Sequence, residues 1–585
     1  MFNGTTAGVS SNTLTSINTS VPSGATSGPI TVTVGGLTAT SFNLFAVITT
    51  PVQITENFAT TYDKGATLNV FISVNNFSLV SAVNFKSRGI SEAVSAIKSV
   101  AVTADAGTAN FRKVVAAADL TDPIGLLYYF EVIDLTLGVV NSTTGKAYVK
   151  YLASSADQVL PGLSFGNQVS NYQIIAVPLK LSDNNAGSVF ASLMPYDRAK
   201  WRLFDYANTD NREYQYSPFN SIDAGKGYWL IVKSSTTINP GAGQAVQADD
   251  AAPFTINLST GWNLIGNPYN FRVSWTDVLT ATSNPAGVDA KLKVFSGGTL
   301  TDGTILEKYR GAFVFSSSAV SMKIPVTRNT SLGGRVKEEM GIVNSLDQDH
   351  WEVKLTLRDG PLSNELGGIG MHPSATLKGK DPFDEVSVPL PEGLNLFELA
   401  YPHPEVFTYF NKEVVPTQEN FTWDFDVKRS SEAGDLELTW ANDYFGDNEK
   451  QLVLFDPASL QVIDMRLVNH FTVTVRTEKV RILFGEKDYV QHTLDKELPW
   501  LGNPYPNPAK EVLTIPFRVP ESQDQLPVQI KIYNSHGAEV ATPINQILEK
   551  GNYSIKWQPQ GETGLYIIRM RIGQQETKAM KVIIK

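Results

Sequence analysis

The chain has 585 residues, enough for roughly three to five domains. Its net charge is −10 and only 18% of its residues are charged, a poor match for gripping a phosphate backbone, so no nucleic-acid partner is expected. It has no cysteine, which excludes disulfides, thiolate metal sites, iron–sulfur clusters and a cysteine nucleophile. Hydrophobic residues make up 42%, sufficient for several cores, and the 44 Gly and 31 Pro are spread along the chain as punctuation between short strands. No run approaches about 18 consecutive apolar residues, so no transmembrane helix is expected. Met1-Phe2-Asn3-Gly4-Thr5-Thr6 has neither a basic stretch nor an apolar core, so it does not read as a signal peptide.

In chain order, the first charged residue is Glu56. The stretch before it is dominated by Thr, Ser, Asn and Gly. Pro22–Pro29 reads as a loop, and Ile30-Thr-Val-Thr-Val34 as a strand. This segment, residues 1–49, resembles the second half of an IPT/TIG domain, an immunoglobulin-like module of cell-surface proteins. On that resemblance the chain is expected to start inside a module, with the precursor beginning further upstream. Residues 50–153 form the next unit. Leu68–Val74 and Lys146–Tyr151 read as strands, and Gly125–Asp134 as a central strand buried on both faces. A short helix over Ser91–Lys98 is an alternative reading there. The pattern resembles immunoglobulin-like or fibronectin-type-III-like spacers.

Residues 154–327 contain an internal duplication. Tyr172-Gln-Ile-Ile-Ala-Val-Pro-Leu179 aligns with Trp262-Asn-Leu-Ile-Gly-Asn-Pro-Tyr269, 90 positions on. Trp201–Phe204 aligns with Lys291–Phe295, and Gly227–Val232 with Gly311–Phe315. Two such copies can bury apolar faces on each other where one cannot. Residues 328–490 read as a further β-sandwich. Trp351, Val353, Leu355 and Leu357 alternate with Glu352, Lys354, Thr356 and Arg358. The series Leu436, Leu438, Trp440 and Phe471, Val473, Val475 repeat the pattern. Residues 491–501 read as a linker.

The C-terminal block, 502–585, opens on Gly502-Asn-Pro-Tyr-Pro-Asn-Pro508, which no helix or central strand accepts. Val528, Ile530 and Ile532 then alternate with polar residues. Turns follow at Asn534-Ser-His-Gly537 and Lys550-Gly551, then Tyr553–Trp557, Gly564–Met570 and a closing Lys578-Ala-Met-Lys-Val-Ile-Ile-Lys585. Turn residues every 8–12 positions predict a small β-sandwich. The block is similar to the type A C-terminal sorting domain of the type IX secretion system of Bacteroidota. The residues that carry the resemblance are Pro504, Pro506, Asn507, Pro508, Gly537, Gly564, Tyr566, Lys578, Lys581, Val582, Ile583, Ile584 and Lys585. It implies export, recognition by the outer-membrane translocon, and removal by a sortase-like protease. The basic terminal segment from Arg569 to Lys585 is the expected recognition element.

Other chemistry is weighed residue by residue. Asp381, Asp384 and Glu385 are the best calcium candidates, but calcium needs six to eight oxygens and solvated, self-capped turns are the favoured reading of every acidic cluster, including 208–211 and 347–349. Trp201, Tyr214 and Tyr216 are candidates for stacking on sugars, against a core role that is favoured for large rings in a sandwich. No Gly-x-Ser-x-Gly elbow occurs, and the six His show no zinc spacing. The expectation is an all-β chain of tandem immunoglobulin-like or jelly-roll-like sandwiches without a catalytic constellation or cofactor: a secreted or cell-surface protein with a stalk or adhesion role. Lipopolysaccharide or an extracellular glycan would be its surface partner. The alternatives are a glycan-binding module set, or the C-terminal part of a larger secreted hydrolase.

Overall fold

The computed structural model describes residues 1–47, 52–152, 159–207, 209–216, 219–328, 350–394, 396–406, 408–429, 434–441, 448–521, 524–560, 563–573, 575–577 and 579–585. The fold is all-β, with a few short helices. It divides into two compact units: Met1–Gln158 with Ala242–Pro253 and Val326–Arg328, and Val159–Gly241 with Phe254–Pro325 and Asn329–Lys585.

In the first unit, Gly28–Val34 and Leu37–Phe45 form a hairpin closed by Gly35-Gly36. Both glycines have positive φ, as a two-residue turn between twisted strands requires. Phe2 packs edge-on against Phe45 at 4.8 Å. Beyond it, a sheet of Ile54–Asn57, Leu68–Val74 and Asn110–Val115 accompanies a second one in which Gly125–Asp134 pairs with both Val80–Gly89 and Gly145–Tyr151. Gly125–Asp134 is central as expected, but it is not buried on both faces. Its even-numbered residues are in the core and most of the odd ones are half-buried, because only one face meets the partner sheet. The helical alternative reduces to one 3₁₀ turn over Val94–Ala96. Residues far along the chain complete this unit. Gly243–Gln244 adds to Gly145–Tyr151, Asp249 pairs with Lys146, and Asp250 pairs with the buried Arg88.

The second unit begins with the two sequence copies. In the first, β1 (Gln173–Ile175), α1 (Ala186–Val189), β2 (Trp201–Ala207), β3 (Asp210–Glu213) and β4 (Tyr228–Val232) give the sheet order β1-β4-β2-β3. In the second, β5 (Gly261–Gly266), α2 (Trp275–Ala281), β6 (Leu292–Ser296), β7 (Thr299–Gly303) and β8 (Gly311–Ser316) give β5-β8-β6-β7. The register is also the same: Ile174↔Trp229 in one copy is Leu264↔Phe313 in the other. The copies exchange contacts reciprocally. Ile175 bridges Arg310 and Ile265 bridges Lys226, while Ala176 N–H donates to Tyr309 O and Gly266 N–H donates to Gly225 O, each at 3.0 Å. Reciprocity of this kind is the mark of an approximate two-fold axis.

From β7 the sheet continues in parallel into Leu362–Met371, through Thr299↔Ser363 and Leu300↔Asn364. This starts a sandwich over 350–485, and one apolar cluster runs without a break from Tyr172 through Phe313 and Trp351 to Phe484. Trp351, Val353, Leu355 and Leu357 are buried as their alternation requires, with a bulge between Leu355 and Leu357. Leu436, Leu438, Trp440, Phe471 and Val473 are buried too. Val475 lies beyond its strand, and 60% of it is exposed. The segment read as a linker, 491–501, is helical through Glu497. Helix α3 (Lys487–Glu497) lays Val490 and Leu494 on Val453, Phe455 and Leu483. Its apolar residues stand four apart, on one face of a helix.

The chain ends in a two-layer sandwich. One layer contains β9 (Leu513–Val519) and β12 (Gly551–Trp557). The other orders β11 (Glu539–Glu549), β10 (Gln525–Asn534) and β13 (Gly564–Ile572), with β14 (Met580–Ile584) on the far side of β13. Leu513, Ile515 and Phe517 of the first layer meet Ile530, Ile568 and Val582 of the second, all at most 1% exposed.

Candidate functional site

The terminal strand β14 alternates by face. Val582 and Ile584 enter the core, and Lys581, Ile583 and Lys585 face out. One of its edges is paired antiparallel with β13, with Gly564↔Ile584 and Tyr566↔Val582. Its other edge would be left with bare peptide groups, a liability for any sheet. The proline-rich motif covers that edge. Ala509 N–H donates to Ile583 O at 2.9 Å, and Lys585 N–H donates to Ala509 O at 2.8 Å. The Asn507 side chain completes the row: its Nδ2 donates to Lys581 O at 3.2 Å, and its Oδ1 accepts Ile583 N–H at 2.9 Å. An amide side chain thus imitates one peptide unit of a neighbouring strand. Proline suits this strap because it has no N–H that would need a partner. The other end of the strap is fixed by Tyr505, whose N–H and C=O pair with Thr514.

The two ends of the domain, 74 positions apart, are therefore one element. Asn507 and Pro508 join Lys581, Val582, Ile583, Ile584 and Lys585, flanked by Gly564 and Tyr566. Pro504 is buried beside them, and Pro506 is exposed. Gly537 lies outside this clasp. It holds φ at +80° in the turn after β10, where Asn534 Oδ1 accepts the N–H groups of His536 and Ala538. Lys578 lies outside the described residues. Sequence reasoning missed Ala509, whose backbone makes half of the clasp and which is fully buried; a small residue directly after Asn-Pro was the available signal.

Outside, β13 and β14 present Leu565 and Ile583 as a cross-strand pair, 40% and 45% exposed. The same two strands also carry Arg569, Arg571 and Lys581, exposed, and Lys585 follows β14, with Glu576 4.0 Å from Arg569. Residues 502–585 carry ten Lys and Arg against seven Asp and Glu, in a chain that is acidic overall. The domain thus opposes the charge of everything before it.

The other candidates do not form sites of the expected kinds. Trp201 and Tyr214 are 2% and 6% exposed. They pack with Phe190 and Tyr196 in the core of the first copy, so their faces cannot receive a sugar. Tyr216 is 66% exposed, but the Arg198 guanidinium lies over its ring. The acidic trio also disperses. Asp381 accepts the N–H groups of Thr376 and Phe383, and Asp384 those of Asp381 and Val414. Glu385 pairs with Lys293 at 2.5 Å. Among the described residues no three acidic or His groups are placed to share a metal ion. Of the other acidic clusters weighed, residue 208 and residues 347–349 lie outside the described residues.

Two buried ionic groups went unread in the sequence. Lys293, whose side chain is fully buried, lies between Asp302 at 2.7 Å and Glu385. Glu413, 1% exposed, meets His403 Nε2 at 2.8 Å, and His403 Nδ1 meets Glu405 at 2.6 Å. Burial, reinforced by the carboxylates of Asp384, Asp381 and Glu405, pushes Glu413 up to about 9. Burial likewise lifts Asp384 to about 7. Lys293 and Glu413 look ordinary in sequence, because only the fold brings their carboxylate neighbours to them.

A family model described as a secretion system C-terminal sorting domain matches residues 503–585. The chain therefore carries a type IX sorting domain, and with it the address of a secreted or cell-surface protein that engages the type IX machinery. No helix among the described residues is long and apolar enough to cross a membrane. No curated protein matches the sequence. Among solved structures, dimeric latent PorU from Porphyromonas gingivalis is similar at 8% identity and a TM-score of 0.14, over 91% of this chain and 34% of that one. A tetra-tandem repeat from the extending region of a large adhesion protein is similar at 9% identity and 0.16, over 91% and 99%. Salmonella alpha-2-macroglobulin gives 9% and 0.15, over 96% and 42%. The chain spans about a third of the PorU chain, and likenesses this slight carry no argument about fold or function.

Proposed function

We propose that this protein is a non-catalytic surface protein with a stalk or adhesion role, delivered outside by its folded C-terminal domain. The observation that carries the reading is the single apolar cluster from Tyr172 to Phe484, together with the sheet that runs from the repeat pair into the sandwich. Modules that share one core move as one body, which is what a load-bearing spacer needs. In this reading the clasp is what the translocon captures, a sortase-like protease then removes the domain, and lipopolysaccharide or an extracellular glycan is the surface partner. Calcium has no part in it. The test compares cells displaying the full chain with cells displaying a version in which residues 1–501 are deleted and replaced by an inert reporter, at equal surface amounts. Attachment to a glycan-coated surface should fall with the deletion. Equal attachment would refute the adhesion role.

A further inference from the structure

The β6–β7 hairpin, the turn before β1 and the loop from Thr304 to Arg310 line a cavity of about 900 Å³, within the range of ligand-sized pockets. Tyr172 and Phe295 border it, but they are only 4% and 6% exposed. No ring is offered for stacking, so recognition falls to the polar wall. There the side-chain hydroxyls of Ser170, Ser296 and Thr304 have no hydrogen-bond partner among the described residues.

Six charged residues line the cavity, three of each sign, yet their charges do not cancel within it. All three acids are already paired. Asp302 is held by Lys293 and Lys291, Glu307 by Arg272, and Glu365 by Lys354 and Arg358. Of those five cations only Arg272 lines the cavity. Lys308 and Arg310 are left without an ion pair among the described residues. The cavity thus carries a positive surplus, in a chain whose net charge is −10.

Arg310 is the more telling of the two. Its Nη2 donates to the carbonyls of Pro161 and Gly162 at 3.3 and 2.5 Å, which holds the guanidinium in place. Its Nη1 is shielded from water and has no acceptor. Burial pulls the group below its ordinary range, with Glu307 working against it. An unmet buried donor on a charged group is costly, and an anionic ligand supplies the acceptor it lacks. A carboxylate suits the planar guanidinium, and hydroxyls that both donate and accept suit the hydroxyls of a sugar ring.

We propose that this cavity binds an acidic saccharide, with a uronate carboxylate at Arg310 and Lys308 and ring hydroxyls at Ser170, Ser296 and Thr304. The proposal rests on the adhesion reading and names the chemistry of its glycan. The probe is trigalacturonic acid, titrated calorimetrically into the full chain, with its fully methyl-esterified form as the neutral counterpart. Saturable binding of the acid is expected, with a Kd below about 1 mM and at least about tenfold weaker binding of the ester. Arg310→Gln should weaken it at least about tenfold, and Lys308→Glu at least about threefold. Lys556→Glu, the same change at an exposed position of the C-terminal sandwich, should leave it unaltered. A thermal melt matching the wild type shows that Arg310→Gln is folded; if it is not, Lys308→Glu, at an exposed position, decides.

No saturable binding up to about 10 mM acid overturns the proposal. So does equal binding of the ester, or binding that survives both variants, because the sugar then sits elsewhere. Inorganic tripolyphosphate bound as tightly as the acid, and lost in Arg310→Gln, overturns the saccharide in favour of a simple anion. If the purified chain fails to bind while cells lose attachment on replacement of residues 1–501, this proposal falls and the adhesion role stands. Unchanged attachment alongside binding of the acid refutes the adhesion role and leaves the site.

Discussion

Replacing Asn507 with Ala removes both side-chain hydrogen bonds that close the outer edge of β14, while leaving the fold of the domain core untouched. Each bond is worth about 0.5–1.5 kcal/mol net. Asn507 is exposed, so water replaces part of what is lost, and the expected cost of opening the clasp is about 1–2 kcal/mol. That is a factor of roughly 5–30 in the open population. Backbone hydrogen exchange on the full chain reads it directly, since the Ile583 amide is bound to Asn507 Oδ1 and the Lys585 amide to Ala509 O. Both should exchange faster by that factor in Asn507→Ala. Asn507→Asp, which keeps the acceptor and loses the donor, should fall between. The amide of Ile530, in the core strand β10, should not change. Unaltered exchange at Ile583 in Asn507→Ala would refute the claim that the side chain holds the strand edge.

Lys293→Ala leaves Asp302 and Glu385 without their shared cation. The loss should be about 3 kcal/mol, the low end for a broken buried pair, because Lys291 still stands 3.3 Å from Asp302. A shift of the calorimetric transition worth less than about 1 kcal/mol would contradict this. The carboxyl of Glu413 holds its proton in the fold up to about pH 9 but loses it near 4.5 once unfolded. Unfolding therefore releases a proton between those values, so its contribution to stability is full below about pH 4.5 and is lost as pH rises toward 9. Asp384 acts in the same direction up to about 7. Glu413→Gln should flatten the fall in melting temperature between pH 5 and pH 9; an unchanged slope would remove Glu413 as its source.

Period-2 alternation made the strands legible, because one face of each sheet is buried and the sequence must declare which. Trp351–Leu357 and Val528–Ile532 are examples. The repeated aromatic and Gly-led strings were readable, but the reciprocal bridges Ile175–Arg310 and Ile265–Lys226 were not, since backbone pairing leaves no residue signature. Helix α3 escaped because its apolar face is only Val490, Leu494 and Leu498 among charged neighbours, and its stability comes from the sheet beneath it. At the C-terminal domain, the motif residues could be named from the chain. Their union into one clasp could not, because Asn507 and Ile583 meet only after β9–β13 have folded between them. Trp201 and Tyr214 show the opposite limit: rings that bind sugar and rings that fill a core look alike until burial is known.

The central claim is that residues 502–585 form a self-contained folded address. The direct measurement fuses them, behind a cleavable leader, to an inert reporter in a bacterium with a working type IX system. Wild-type fusions should reach the cell surface or medium, and fusions lacking residues 580–585 should remain in the periplasm. A reporter that stays inside with the intact domain, or emerges without its terminal strand, would contradict the account.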